Sequence, residues 1–298
     1  MTAQATIPER RRALKQRLQR KDKGLLVAPG VYDLISARIA DSFGFEAIYM
    51  TGYGVSASYL GVPDAGFATY TDMENRVRTI ADVAATPLIA DGDTGYGGAL
   101  NVQHTIRGYE RAGAAAIQLE DQEFPKRCGH TLGRRVVPME DMVLKLRVAV
   151  DTRSDPNFLI IARTDARTTL GLDEALRRAE AYVKAGADVL FVESPESEEE
   201  MARICGQFDV PLLANMVEGG RTPVLSKARL EELGYALAIF PTSAFLSAGA
   251  MFQRVYGTLK EQGSTAGSGI PMEDFQAFSR QMGFERVWDF DKKYGEKA

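Results

Sequence analysis

The chain has 298 residues, 45% of them hydrophobic, and a net charge of −4 with acids and bases interspersed. This suffices for one large core or two smaller ones and gives no basic excess that would mark a nucleic-acid partner. Two cysteines are too few for a disulfide scaffold and fit a reducing, cytoplasmic setting; no apolar run reaches transmembrane length, and the basic start Met1–Lys23 lacks the apolar centre of a signal peptide.

Residues 1–23 read as an N-terminal helical extension: Pro8 opens it, and Leu14 and Leu18 lie four apart among arginines, the pattern of an exposed helix. Residues 24–262 then alternate short apolar runs with helical segments. The runs are Leu25–Ala28, Ala47–Met50, Pro87–Ala90, Ala116–Leu119, Phe158–Ala162, Val189–Val192, Pro211–Ala214 and Ala236–Phe240. Between them the helical periods are Leu34–Phe43, capped by Asp33; Met73–Ala84, behind a T-D-M-E capping box at Thr71; Val102–Ala112; and Met139–Val150, opened by Pro138. Asp173–Ala185, Glu198–Gln207, Lys227–Leu233 and Ser243–Gln262 complete the set. Residues 263–298 form a tail: a small-residue hinge, then Met272–Met282 and Arg286–Lys293, whose apolar character suits packing on a neighbouring subunit.

Eight strand-then-helix units in series, with strands apolar throughout, predict a parallel (β/α)8 TIM-type barrel in a single domain. A doubly wound open sheet is disfavoured because no G-x-G-x-x-G follows the first run. Such a barrel keeps its chemistry at the C-terminal ends of its strands. Those ends carry Thr51-Gly52-Tyr53, Asp91 and Asp93, Glu120 and Asp121, Arg163 and Asp165, Glu193, and Asn215 with Glu218. Asp91-Gly92-Asp93 sits among glycines and reads either as an Asx turn or as hard oxygen ligands for Mg²⁺, with Glu120 nearby. Arg163 is suited to clamp a substrate carboxylate, or to pair with Glu193 when none is present. Tyr49 is either a core aromatic or a phenol at the barrel mouth. Cys205 and His104 carry no functional signal.

The fourth run leads into L-E-D-Q-E-F-P-K-R-C-G-H, Leu119–His130. Cys128 stands among Lys126, Arg127 and His130, and positive neighbours lower a thiol's pKa. The stretch is either a solvated turn with an ordinary cysteine or a loop that moves a proton.

K-R-C-G-H, together with D-G-D-T-G at Asp91–Gly95, L-E-D-Q at Leu119–Gln122, A-R-T-D-A at Ala162–Ala166 and N-M-V-E-G-G-R-T-P at Asn215–Pro223, resembles the isocitrate lyase/phosphoenolpyruvate mutase superfamily in order and spacing, over nearly the whole chain. The resemblance implies a barrel whose terminal helices are swapped between subunits, in a homotetramer. It implies Mg²⁺, or Mn²⁺ in its place, on Asp93 with Asp91 and Glu120 acting directly or through water. Thr51, Gly52, Tyr53, Arg163, Glu193 and Asn215, with Gly129 and His130 of the loop, would surround a small dicarboxylate. Cys128 would donate a proton from a loop, Glu123–Arg135, that closes over the site, and Arg163 would clamp a carboxylate as a further catalytic group; the base stays open among Tyr49, Glu120 through water and a metal-bound hydroxide. No nucleic acid or membrane partner is implied.

Cys128 resembles the lyase branch, which breaks carbon–carbon bonds; the phosphonate branch has Asn there. Chain length argues against isocitrate lyases proper. In 2-methylisocitrate lyases an Arg stands where this chain has Leu246, and a Gly where it has Tyr53, so a 2-alkylmalate such as 2,3-dimethylmalate is the expected substrate. Methylisocitrate cleavage, oxaloacetate decarboxylation or hydrolysis, phosphonate chemistry and a non-catalytic barrel are the alternatives.

Overall fold

The computed structural model describes residues 5–131 and 133–295. Met1–Gln4 of the N-terminal extension, Leu132 of the 123–135 loop and Glu296–Ala298 of the tail lie outside the described residues. The chain divides into two compact units, Met1–Ala244 and Phe245–Ala298.

The first unit opens with α1 (Ile7–Gln19). It continues through β1 (Leu26–Val31), α2 (Leu34–Ser42), β2 (Ile48–Met50), α3 (Gly52–Val55), α4 (Tyr70–Val83), β3 (Leu88–Asp91), α5 (Ala99–Arg111) and β4 (Ala116–Glu120). Its second half runs α6 (Met139–Thr152), β5 (Leu159–Thr164), α7 (Ala166–Leu170), α8 (Leu172–Lys184), β6 (Val189–Val192), α9 (Glu198–Gln207), β7 (Leu213–Asn215), α10 (Lys227–Leu233) and β8 (Leu237–Phe240). Helix α11 (Ser243–Gln262) begins at the boundary and belongs, from Phe245 on, to the second unit, with α12 (Phe275–Gln281) and α13 (Phe284–Tyr294).

All strand pairs are parallel and follow chain order, with β1 returning to β8. Between β6 and β7 the ring closes through a bridge, Leu190 to Leu212, and a hydrogen bond from Leu190 N–H to the Pro211 carbonyl at 3.0 Å. This is the expected eight-stranded barrel. Side chains alternate along each strand as the pleat requires. Tyr49, Ile89, Ala116, Ile161, Phe191, Leu213 and Ile239 fill one cluster inside the barrel, while Ile48, Met50, Ala90, Ile117, Ala162 and Leu190 join the larger cluster beneath the helices.

Two expectations change. The N-terminal helix is exposed on one face only: Leu14 and Leu18 join the inner cluster, and Arg11 is buried beside them. Helix α1 therefore plugs the bottom of the barrel. Arg11 Nε donates to the Ala114 carbonyl at 2.9 Å, its Nη2 to the Glu110 carbonyl, and its Nη1 lies 3.4 Å from Asp155. A four-residue spacing of leucines among arginines reads alike for a solvated helix and for a narrow apolar stripe; what it packs on decides. The capping box of α4 is also one half-turn earlier than expected, at Thr69 and Asp72, whose backbone and side-chain groups bond reciprocally at 2.9 and 3.3 Å. Among the described residues no helix is long and apolar enough to cross a membrane.

Candidate active site

Strand ends of the barrel deliver Tyr49, Thr51, Asp91, Glu120, Arg163, Glu193 and Asn215 to one cavity. Tyr53, Asp64, Lys126, Arg127, Cys128, Gly129, His130 and Thr242 complete its lining on the polar side, and Val217, Ile239 and Pro241 give it apolar surface. Gly52 and Asp93 lie just behind this lining. The Gly52 N–H donates to Asp91 Oδ2 at 3.2 Å, and a Cβ at residue 52 would stand 2.6 Å from that oxygen, so glycine permits the approach. Thr51 ends β2 by capping α3, its hydroxyl accepting from Gly54 N–H at 3.3 Å.

Arg163 is the centre of charge. Its side chain lies 2.9 Å from Asp165, 3.2 Å from Glu193 and 3.4 Å from Glu120, all buried, and its guanidinium stacks on Phe191. Burial opposes its charge, but Asp165, Glu120 and Glu193 hold it protonated well above the usual range. Glu193 also accepts from Asn215 Nδ2 at 3.0 Å and Ser194 N–H at 2.7 Å. The ionic partners of Arg163 are thus carboxylates, the group a dicarboxylate ligand would present.

The three carboxylates expected to share a metal are occupied otherwise. Lys126 Nζ lies 2.7 Å from Asp93 and 2.5 Å from Asp64. Asp91 Oδ1 accepts from the Asp93 N–H at 3.1 Å, and Asp93 reaches this place through a left-handed backbone, φ 45°. Among the described residues no three His, Cys, Asp or Glu side chains converge as a metal-holding group. In this structure Lys126 and Arg163 provide the counter-charges of Asp93 and Glu120. Asp93 Oδ1, despite its ion pair, and Glu120 Oε1 are buried without a hydrogen bond among the described residues. Burial raises the Asp93 carboxyl to about 7, Lys126 opposing and Asp91 and Asp64 adding to the rise; burial likewise pushes Glu120 well up. Lys126, although desolvated, is held protonated by Asp93 and Asp64.

The 123–135 loop sits down on the cavity. Its stalk pairs Gln122 with Val136, and Glu123 N–H donates to the Arg135 carbonyl at 2.8 Å. Gln122 and the Arg127 backbone exchange two hydrogen bonds at 2.9 Å. The Cys128 N–H donates to the Asp64 carbonyl at 3.0 Å. At Gly129 a Cβ would lie 2.2 Å from Arg163 Nη2 and 2.7 Å from Glu193 Oε2, so only glycine lets the backbone settle here. Its carbonyl accepts from Ser194 Oγ at 2.9 Å. His130 Nδ1 accepts from Arg221 N–H at 3.1 Å, which places the ring proton on Nε2, 3.5 Å from Glu193. Burial lowers its pKa, keeping the ring neutral.

The expectation of an acidic Cys128 is overturned. Burial raises its thiol to about 11; a backbone hydrogen bond from His130 and the charges of Arg163 and Lys126 pull the other way, and Asp64 reinforces the rise. Sequence neighbours reveal nearby cations but not the desolvation that outweighs them. Tyr49 donates to Gln118 Oε1 at 2.9 Å, and burial together with Asp91 keeps its pKa well above 10. It is a neutral phenol, unfit to act as a base at neutral pH. Asp64, Gln118 and Ser194 went unrecognised in the sequence. Only Gln118 carries a signal, a lone amide inside an apolar strand; Asp64 lies in a Gly- and Pro-rich loop like many others.

The sequence model of a family described as phosphoenolpyruvate phosphomutase matches residues 14–260. The chain is 50% identical over 282 residues to 2,3-dimethylmalate lyase of Eubacterium barkeri, covering 95% of this chain and 98% of that one. The crystal structure of a 2,3-dimethylmalate lyase in a trigonal form superposes with a TM-score of 0.90 at 39% identity, covering 96% and 95%. Phosphonopyruvate hydrolase in complex with oxalate and Mg²⁺ superposes with a TM-score of 0.85 at 30% identity, covering 96% and 99%.

Proposed function

Because the chain belongs to the phosphoenolpyruvate phosphomutase family, within the superfamily that includes isocitrate lyases, we propose that it is a metal-dependent carbon–carbon lyase that cleaves a 2-alkylmalate, such as 2,3-dimethylmalate, to a 2-oxo acid and a carboxylic acid. The observation that carries this is the placement of Cys128 over a cavity that joins the Arg163 carboxylate clamp to an apolar wall of Val217, Ile239 and Pro241. One side binds carboxylates; the other accepts alkyl groups that oxaloacetate lacks. The name of a 50% identical relative supports the same substrate class.

The donor set fits a divalent cation of the Mg²⁺ or Mn²⁺ kind. Asp91, Asp93 and Glu120 are hard oxygen ligands, and Asp93 Oδ1 and Glu120 Oε1 are buried with unused hydrogen-bonding capacity. A bound cation would polarise the substrate's hydroxyl and adjacent carboxylate and lower the hydroxyl's pKa. Arg163, backed by Glu193 and Asn215, would orient a substrate carboxylate in bidentate fashion. The hydroxyl proton passes to a base, for which Glu120 acting through a water is the candidate on this rim; C2 becomes a carbonyl as the C2–C3 bond breaks, and the bond's electron pair moves onto C3 and the second carboxylate. Cys128, a neutral thiol at pH 7, then gives its proton to C3, and the resulting thiolate is left near Lys126 and Arg163. The loop, with Gly129 against Arg163, excludes water that would quench the carbanion early.

The second unit is read as an assembly element of a cytoplasmic homotetramer with swapped terminal helices. Helix α11 buries none of its side chains, and Phe252, Tyr256, Phe275, Trp288 and Phe290 are exposed large apolar residues. Light scattering at micromolar concentration that returned a monomer would refute the assembly.

The activity is tested by release of pyruvate from 2-methylmalate, 2,3-dimethylmalate, 2-methylisocitrate, oxaloacetate and phosphonopyruvate, and of oxalate from oxaloacetate, with Mg²⁺ and with excess chelator. Turnover of the alkylmalates that chelation abolishes is expected. Turnover of oxaloacetate or phosphonopyruvate alone would assign the chain to another branch.

A further inference from the structure

Asp165 is shared by two arginines. Arg163, on β5, reaches Asp165 Oδ2 with Nε at 2.9 Å and Oδ1 with Nη2 at 3.0 Å. Arg134, at the far end of the 123–135 loop, reaches the same Oδ1 with Nη1 at 2.6 Å, and its Nη2 donates to Thr168 Oγ1 at 2.6 Å. Both arginines are buried, and Asp165 is fully buried. Asp165 is itself fixed from behind, its N–H donating to Asp121 Oδ1 at 2.9 Å. Asp121 in turn accepts from Thr164 and Tyr182 hydroxyls, each at 2.7 Å, and lies 3.1 Å from Arg178. The carboxylate between the two guanidinium groups therefore has little room to follow either one. Arg134 Nε has no acceptor among the described residues, so this arginine is held by its two terminal nitrogens.

We propose that Arg134 is a positioning residue for Arg163: seating the loop brings Arg134 onto Asp165, draws part of that carboxylate's charge away from Arg163, and so weakens Asp165, which still bonds Nε and Nη2, as a competitor of a substrate carboxylate for the Arg163 charge. Without Arg134, Asp165 neutralises Arg163 in full and competes with the ligand. In a buried site the competition is little screened by salt. Loop closure and readiness of the clamp are thereby one event. The two sequence segments that accomplish it, R-R at Arg134-Arg135 and R-T-D at Arg163–Asp165, lie 29 positions apart.

This rests on the assignment of Arg163 as the carboxylate clamp. The test is oxalate binding by calorimetry with saturating Mg²⁺, which requires no turnover, in a double-mutant cycle of Arg134→Gln and Asp165→Asn. Arg134→Gln should weaken oxalate about tenfold, whereas the same change in the Asp165→Asn background should shift the Kd less than twofold. An equal loss in both backgrounds means that Arg134 acts only by anchoring the loop and overturns the proposal. An unchanged Kd in Arg134→Gln overturns it as well, with the clamp intact. If wild-type protein fails to bind oxalate at all, the clamp assignment falls and this proposal with it. Should Asp165→Asn not fold, Thr168→Val removes Arg134's other anchor and leaves the shared carboxylate. A Kd within twofold of wild type then supports the proposal, and a tenfold loss overturns it.

Discussion

Two buried arginines mark the two ends of the barrel, and their partners differ in kind. Arg11, at the bottom, makes its shortest bonds to the backbone carbonyls of Ala114 and Glu110 and stacks on Phe158, with the Asp155 and Glu110 carboxylates farther off at 3.4 and 3.8 Å. Arg163, at the top, is held by the side chains of Glu120, Asp165 and Glu193. A carbonyl fixed in the fold cannot leave; a carboxylate on a rim can be exchanged for a ligand's. Both arginines are buried, but the closest acceptors are backbone at one and side-chain carboxylates at the other, and this difference supports the proposal that Arg163 is the one that meets a ligand.

The largest effect should come from Arg163→Lys, which keeps the charge but loses the planar fork. We expect kcat/KM to fall on the order of 10³-fold, with the melting temperature nearly unchanged. A loss of stability without loss of activity would erase the contrast with Arg11. Cys128→Ser should lower kcat by about 10²-fold or more, while Mg²⁺ affinity by calorimetry stays the same. The wild-type thiol adds a pH signature. Its pKa is raised on folding from 9.0 to about 11, so the folded protein binds the proton more tightly. The associated stability is complete below pH 9.0 and is lost as pH rises through about 11. Denaturant midpoints taken across that window should decline less steeply in Cys128→Ser.

Arg11→Met sharpens the other side of the comparison. It leaves Glu110, Asp155 and two backbone acceptors without their cation, and should cost about 3 kcal/mol by urea unfolding. Specific activity of the folded fraction should not change; a drop would mean that the plug communicates with the rim. The smallest effect is expected at Tyr96, whose hydroxyl meets that of Tyr109 at 2.8 Å, while Tyr109 donates to the Asp91 carbonyl at 3.0 Å. Tyr96→Phe should cost about 1 kcal/mol, with KM moving less than kcat if Asp91 shifts.

The rim was legible because a charged residue that ends a buried apolar run must meet either a counter-charge or a ligand. Asp91, Glu120, Arg163 and Asn215 each end such a run, and each faces the cavity. Short α3 and α7 were not legible, since T-G-Y-G and A-R-T-T-L have neither the length nor the period of a helix. Partnerships were harder still. Nothing near Lys126 in the chain points to Asp64 or Asp93, 62 and 33 positions away. The pKa of Cys128 depends on how deeply the loop sits, which composition does not encode. The same holds for α1, whose leucines read as ordinary until the barrel floor is in place.

The seated loop also bears on the speed of turnover. Glu193 and Glu120 are essentially inaccessible to solvent with the loop seated, and product release in the proposed lyase would require the loop to lift. Lifting it would have to separate Lys126 from Asp64 and Asp93, and Arg134 from Asp165, and break the Ser194 hydrogen bond to Gly129. Each contact that makes the closed site dry and well aligned also lengthens the wait for release. The proposed lyase is therefore expected to show a kcat that falls as solvent viscosity rises; a kcat indifferent to viscosity would place the limit in the chemistry.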